Sequence, residues 1–498
     1  MSHNSIPIVQ GAEVGYHTAN PASTVPGYAV APDGTANNTN GMGVPFMDWD
    51  DRKLYSTEEL RQQRQDPPKQ YKDVVWAFLF VTQLATSIGA CLYFIANGNA
   101  NVQQNGETSI ANAFGGVFTI VLVCGSLAVG LACASLKFML KNAELLVQAA
   151  LFFSVATSFF MGIIGFMAGN LIMGVIGMVA GAIGCCYAYF VWHRIPFAAV
   201  NLQTALQAIK SNMGLLAVAL AVSGVAMAWS ILWFLGLGQA LGSQSLFVAF
   251  LLFVNYYWTH EVLRNTVHVT TAGVVGTWWY VPSEANSHFS PALMDSWSRA
   301  TSYSFGSICF GSFLVALIRS LRAIERHARG NDDLNALACV IQCILACIES
   351  IIEYFNQWAY VYVALYGMSY IEAGRNVLNL FAQKGWTVII TDDLADNVLF
   401  MMSIGIALSS GLVGWIMGTA SPDLLAGLGW SDSAGPAFLL AFIVGLLLSS
   451  ILLGVVNSAI NCVIVCYADA PADLQMNEPE LSAAMRTAWT QAWPGLLN

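Results

Sequence analysis

Apolar runs of roughly bilayer length recur along the chain, separated by short polar joints. A hydrocarbon core about 30 Å thick needs about 20 apolar residues per helix. Ten stretches meet or approach that length: Val74 to Ala96, Phe114 to Leu136, Leu145 to Met167, Leu171 to Trp192, Gly214 to Leu237, Leu246 to Arg264, Val267 to Val281, Ser302 to Ile318, Asn397 to Met417 and Ala437 to Cys466. They predict an all-α fold, a polytopic integral membrane protein with about ten transmembrane helices. The weakest stretch is Val267 to Val281, which is short for a bilayer and interrupted by His268, threonines and glycines. Residues 1 to about 70 are rich in Asn, Pro, Gly, Thr and Ser, too polar and turn-prone to bury a core, and predict a disordered tail.

Basic residues test the weak stretch, because Lys and Arg beside short loops concentrate in the cytosol. Arg61, Arg64, Lys69 and Lys72 precede the first span and set the N-terminus inside. Lys137 and Lys141, then Arg194 and Lys210, fall inside after the second and fourth spans, and the loops between carry neither Lys nor Arg. Arg264 then ends the sixth span inside. The cluster Arg319, Arg322, Arg326 and Arg329 is also expected inside, which requires an even number of crossings between Arg264 and Arg319. Counting Val267 to Val281 as a crossing keeps the parity and puts both termini in the cytosol.

The expected organisation is a cytosolic tail over 1–70, transmembrane helices one to eight over 71–330, a cytosolic-side amphipathic region over 331–396, helices nine and ten over 397–466, and a cytosolic C-terminal tail over 467–498. Within 331–396, Glu349 and Glu353 stand four apart on one helical face. Amphipathic helices under the bundle are the simplest reading of this region, with a pair of extra crossings as the competing one.

Composition agrees with the pattern. Of 498 residues 56% are hydrophobic and 10% charged, against about 25% charged in a soluble domain. The 43 glycines suit helices that approach closely in lipid. The net charge of −10 resides largely in tails and loops, and no nucleic-acid partner is expected. The opening residues lack a basic segment followed by an apolar core, so no cleaved signal peptide is expected. Eleven cysteines fall almost entirely in apolar runs, which argues against disulfides and zinc. The acceptor Asn37-Asn38-Thr39 lies in the tail placed in the cytosol and is expected to be unglycosylated.

The candidate chemistry lies in Leu246 to Val281, LFVAFLLFVNYYWTHEVLRNTVHVTTAGVVGTWWYV. An ionisable group at membrane depth is costly and faces protein or an aqueous path, so it marks a functional site by default. Asn255, Trp258 and Glu261 fall three apart on one helical face, and Tyr257 shares a side with Glu261. An organic cation would lie against Trp258 and Tyr257 through the ring quadrupole, with Glu261 balancing its charge. The plain alternative pairs Glu261 with Arg264 and makes the aromatics an interfacial girdle. Gly273 and Gly276, with the threonines before them, offer a hinge or unwound segment of the kind that forms transporter sites. His268 is a candidate proton-sensitive group. Trp278 joins the candidate substrate residues, against the reading of Trp278, Trp279 and Tyr280 as an outer aromatic belt. No metal site and no cofactor are expected, and the absence of a Gly-Lys-Ser/Thr phosphate loop argues against ATP-driven pumping.

Several passages resemble the choline transporter-like family. Phe355 to Ala373, FNQWAYVYVALYGMSYIEA, is similar to that family's FNKYAYVQIAIYGKSF stretch, and NTVHVTTAGVVGTWWY from Asn265 is another match. GSICFGSFLVALIRSLRAIE from Gly306, RIPFAAVNLQTAL from Arg194 and VIVCYADAPADLQMNEPELSAAM from Val463 resemble it too, in the right order over Arg194 to Met485. The long polar N-terminal tail and short first outer loop look more like the fungal, plant and protist branch. Met368 departs from the pattern, since Lys commonly follows the Tyr-Gly. The resemblance implies a ten-span solute carrier of choline or a related small organic cation, working by alternating access in the plasma membrane or an organelle membrane. Membrane lipids, and a cytosolic partner of the N-terminal tail, are the other expected contacts. The rivals are a carrier of another solute and a non-transporting structural or trafficking protein.

Overall fold

The computed structural model describes residues 69–98, 107–236, 246–329, 336–384, 394–428 and 432–493, all within the compact unit Tyr55–Asn498. The predicted tail up to residue 68, with its Asn37 acceptor and any partner it binds, lies outside the described residues. Every regular element among those described is helical: α1 Val74–Gly98, α2 Glu107–Met167, α3 Leu171–Val191, α4 Ile195–Ser211, α5 Gly214–Gly236, α6 Leu246–Tyr280, α7 Pro291–Thr301, α8 Phe305–Arg329, α9 Ala336–Tyr366, α10 Tyr370–Gln383, α11 Leu394–Ala420, α12 Ala434–Asp469, α13 Pro471–Asn477 and α14 Pro479–Ala492. Seven helical stretches among the described residues are long and apolar enough to cross a membrane. The protein is an all-α, multi-pass membrane protein.

Local signals explain where helices start. Asn170 Oδ1 accepts from the Met173 amide to cap α3, Ser290 caps α7 ahead of Pro291, and Ser369 with Glu372 forms a capping box for α10. Gly367, at φ 63°, supplies the left-handed turn between α9 and α10. The stretch Gly115–Met167 spans 53 residues and bends at Asn142 (φ −128°, ψ 31°), between the two predicted spans. Its second half packs on α3 where Gly162 and Gly165 face Gly174 and Gly177, so the two backbones touch without intervening side chains.

Two expectations are corrected. Leu246 to Arg264 and Val267 to Val281 are not separate crossings, because α6 runs unbroken for 35 residues, about 52 Å at 1.5 Å per residue. Polar residues at the supposed joint are satisfied inside the bundle: Asn265 donates to Ser312 Oγ at 3.0 Å, and Thr266 and Thr270 donate to carbonyls one turn back. Nor is 331–396 solely a surface amphipathic region, because α9 enters the core. Trp358 to Tyr366 are buried on every side, among α6, α8 and α12, the pattern of an interior helix rather than an interfacial one.

Hydrogen bonds collect one end of the bundle. Lys72 N–H donates to Tyr303 O at 3.1 Å, and the Asp73 carboxylate accepts from Ser307 Oγ at 2.6 Å and the Tyr370 amide at 2.9 Å. Tyr366 donates to Asp469, Trp279 Nε1 to Ala470 O at 3.0 Å, and Asn477 Nδ2 to Trp279 O at 2.8 Å. Helix α8 therefore starts, and α9 ends, at the end where α1 starts. Arg319 lies 14 residues into α8, about 21 Å from its start, and so does not share a membrane face with the basic residues before α1. The C-terminal stretch is folded rather than free: Trp489 packs against Phe197 and Tyr467 and donates to Asn201 Oδ1 at 3.2 Å.

Candidate functional site

Midway along the bundle, α5, α6, α8, α9, α11 and α12 enclose a cavity of about 830 Å³, within the usual range for small-molecule sites. Its wall mixes aromatic, charged and amide groups. Helix α6 contributes Tyr256, Tyr257, His260, Glu261, Arg264, Asn265 and His268. Arg319 comes from α8, and Glu353, Tyr354, Asn356, Gln357 and Tyr360 from α9. Asp396 from α11 and Asn457, Ser458 and Asn461 from α12 complete the polar surface.

Arg319 is the hub of the charged part. It donates to Glu261 of α6, to Glu349 of α9 through Nε at 2.8 Å, and to Glu353 of α9 through Nη2 at 2.5 Å. Arg322 reinforces it by pairing with Glu349, and Arg264 approaches Glu261 at 3.7 Å. The Glu261 side chain is only 4% exposed, whereas that of Glu353 is 37% exposed. Burial makes these charge-assisted bonds strong and makes the loss of one partner costly. The two glutamates thus differ in exposure rather than in partner: Arg319 bonds both, but Glu261 also has Arg264 nearby and is buried, whereas Glu353 is partly exposed.

A second, neutral network continues along the same faces of α6 and α9, His268 standing seven residues beyond Glu261 and Gln357 four beyond Glu353. His268 Nε2 lies 3.2 Å from the Gln357 backbone carbonyl and Nδ1 lies 2.7 Å from Ser458 Oγ, whose hydroxyl also stands 3.0 Å from the Gly454 carbonyl. Gln357 Nε2 donates to Asn461 Oδ1 at 2.7 Å, Tyr360 donates to Ile308 O at 3.2 Å, and Asn356 Oδ1 accepts from Tyr370 at 2.5 Å while its Nδ2 donates to Gly311 O at 3.2 Å. These bonds fix the aromatic and amide groups to α8, α9 and α12.

The predicted site residues separate in space. Tyr257, Glu261 and His268 line the cavity. Asn255 turns to α1 and donates to Ser87. Trp258 is 5% exposed and packed between Phe80 and Phe313, its Nε1 donating to Cys309 O at 3.0 Å, so its ring is a helix-packing group outside the cavity wall. Trp278 lies 20 residues beyond Trp258 on the same helix, about 30 Å away. Trp278 and Trp279 are both buried rather than forming an outer belt. The helix does not unwind at Gly273 or Gly276: Ser296 of α7 crowds the first and Leu365 of α9 the second.

The sequence offered Arg264 as the alternative partner of Glu261, and the two do approach at 3.7 Å, but it gave no sign of Arg319, which is 58 residues distant. It also missed Tyr354, Tyr360, Asn457 and Asn461. The available signal was the aromatic and amide run of Phe355 to Tyr366 inside an otherwise apolar helix. Among the described residues no group of three or more His, Cys, Asp or Glu is arranged to hold a metal.

Comparison with known proteins gives the chain's family. Residues 180–472 match the family model described as plasma-membrane choline transporter. A PNS1 protein of Mycosarcoma maydis is 27% identical over 370 residues, 69% of each chain. A PNS1 protein of Yarrowia lipolytica is 28% identical over 324 residues, 59% of this chain and 56% of that one. A CTL-like protein of Dictyostelium discoideum is 25% identical over 372 residues, 70% of this chain and 64% of that one. The aligned region thus spans little more than half of the Yarrowia relative and about two thirds of the other two.

Proposed function

We propose that this chain, which belongs to the choline transporter-like family, carries choline or a similar small organic cation through the central cavity by alternating access, without ATP hydrolysis. The observation that carries this reading is the charge and surface of the wall. Glu261, Glu353 and Asp396 stand against Arg264 and Arg319, three carboxylates to two guanidiniums, with Tyr256, Tyr257, Tyr354 and Tyr360 alongside. One excess negative charge beside aromatic faces suits a monocation that has no N–H to donate. Glu353 is the carboxylate we assign to the cargo, because Arg319 bonds both glutamates but the Glu353 side chain is partly exposed while that of Glu261 is buried. The plasma membrane is the proposed location, in keeping with the family's description.

Radiolabelled choline uptake into proteoliposomes holding the purified chain tests this, with Glu353→Gln beside it. Saturable uptake is expected, at least about tenfold weaker in the variant, which gives up one charge-assisted contact. Correctly folded wild-type protein with no uptake above empty vesicles would overturn choline as the cargo and favour another solute.

A further inference from the structure

All three nitrogens of the Arg319 guanidinium are engaged, each with a different carboxylate. Nε bonds Glu349 at 2.8 Å, Nη1 bonds Glu261, and Nη2 bonds Glu353 at 2.5 Å. The three bonds differ in shelter: the Glu261 and Glu349 side chains are 4% and 11% exposed, and that of Glu353 is 37% exposed. Glu261 and Glu349 each have a second guanidinium, Arg264 and Arg322, whereas among the described residues Glu353 pairs with Arg319 alone. Arg319 and Glu353 both line the cavity. An ion pair that water reaches is weak, and a buried one is costly to break. The bond to Glu353 is therefore the one a solute can take over.

We propose that Arg319 is a tethered competitor for the cargo: its Nη2 occupies Glu353 while the cavity is empty, and an entering cation displaces it, leaving it on Glu261 and Glu349. This rests on the cation reading of the same cavity. A carboxylate already neutralised by a guanidinium offers a second cation little net charge, and two cations on its two oxygens would repel at close range. Displacement strands neither group. Arg319 keeps its two sheltered bonds, the freed Nη2 borders the open cavity, and Glu353 exchanges one positive partner for another. Release runs the same exchange backwards, with the guanidinium returning to Glu353 as the cargo departs. The carboxylate is compensated throughout, so the site binds a cation without becoming a trap for it.

Equilibrium binding of choline to the purified full chain tests this, with Arg319→Lys beside the wild type. Lysine keeps the charge, but a single ammonium does not span three carboxylates as the planar fork does. It stays with the two sheltered ones and leaves Glu353 to the cargo. Choline is expected to bind about threefold more tightly to the variant, the worth of one partly exposed ion pair. Damaged packing would act in the opposite direction. In a Glu353→Gln background the same lysine substitution should leave choline affinity unchanged, because the two residues act through one contact. Unchanged or weaker binding by folded Arg319→Lys would overturn the proposal while leaving the cation reading intact, as would equal tightening in both backgrounds. Wild-type chain carrying isotope-labelled arginine serves if the lysine variant does not fold. Choline should then shift a guanidinium band in the infrared difference spectrum, and a spectrum without that change would overturn the proposal. Binding of choline by neither wild type nor variant would overturn both readings.

Discussion

The contact between α2 and α3 and the contact among α6, α8 and α9 are both helix packing inside one bundle, built from opposite materials. In the first, glycines at 162, 165, 174 and 177 let bare backbones meet, and the outer faces carry exposed Phe160, Ile163, Ile172 and Ile176. In the second, the helices meet through Trp258 to Cys309, Asn265 to Ser312, Tyr360 to Ile308, and the Arg319 hub. Van der Waals packing of small residues suffices where the surroundings are lipid. Directional polar bonds appear where the helices also enclose a polar cavity, and they fix the relative positions of its wall.

The sharpest way to break this contrast is Arg319→Leu, which leaves Glu261 with only the 3.7 Å approach of Arg264 and Glu349 with Arg322 alone. Removing one partner of a buried ion network costs about 3–5 kcal/mol. Thermal unfolding in detergent should therefore fall steeply, and Arg319→Leu combined with Glu261→Leu should recover part of the loss. Gly177→Leu attacks the other contact, with an expected loss of about 1–3 kcal/mol from overpacking. Its cation affinity should stay at the wild-type value once folded protein is counted, which a binding titration checks. Tyr360→Phe removes the bond to Ile308 O and a longer contact with Ser312 Oγ, together worth about 1 kcal/mol, and should be seen as a small drop in thermal midpoint. Ile172→Leu on the exposed face of α3 should change stability by less than about 0.5 kcal/mol, and a larger change would mean that this face is covered by protein rather than lipid.

The apolar runs made the helices legible, because length and hydropathy act locally. They also singled out Glu261, a carboxylate where hydrocarbon would otherwise be expected. What they concealed was the partner. Arg319 and Arg322 read as cytosolic charge under the positive-inside rule, which assumes Lys and Arg beside loops in water. Here both are paired with glutamates inside the bundle, so they carried no information about membrane side, and the parity argument that divided α6 into two crossings failed with them. Trp258 misled for a related reason. Its spacing to Glu261 is correct for a shared helical flank, but Cys309 O and the rings of Phe80 and Phe313 draw it to the neighbouring helices.

The uneven count of ionised groups around the cavity, three carboxylates to two guanidiniums, has an electrical consequence. Under the cation transport proposed above, wall and cargo would sum to zero with a monocation aboard, and a transmembrane voltage would exert little net force on the loaded form. The emptied form would keep one elementary charge, on which a potential does work of about 2.3 kcal/mol per 100 mV for a full traverse. An inside-negative voltage drives that excess charge outward, so the current of an import cycle would be carried by the return stroke.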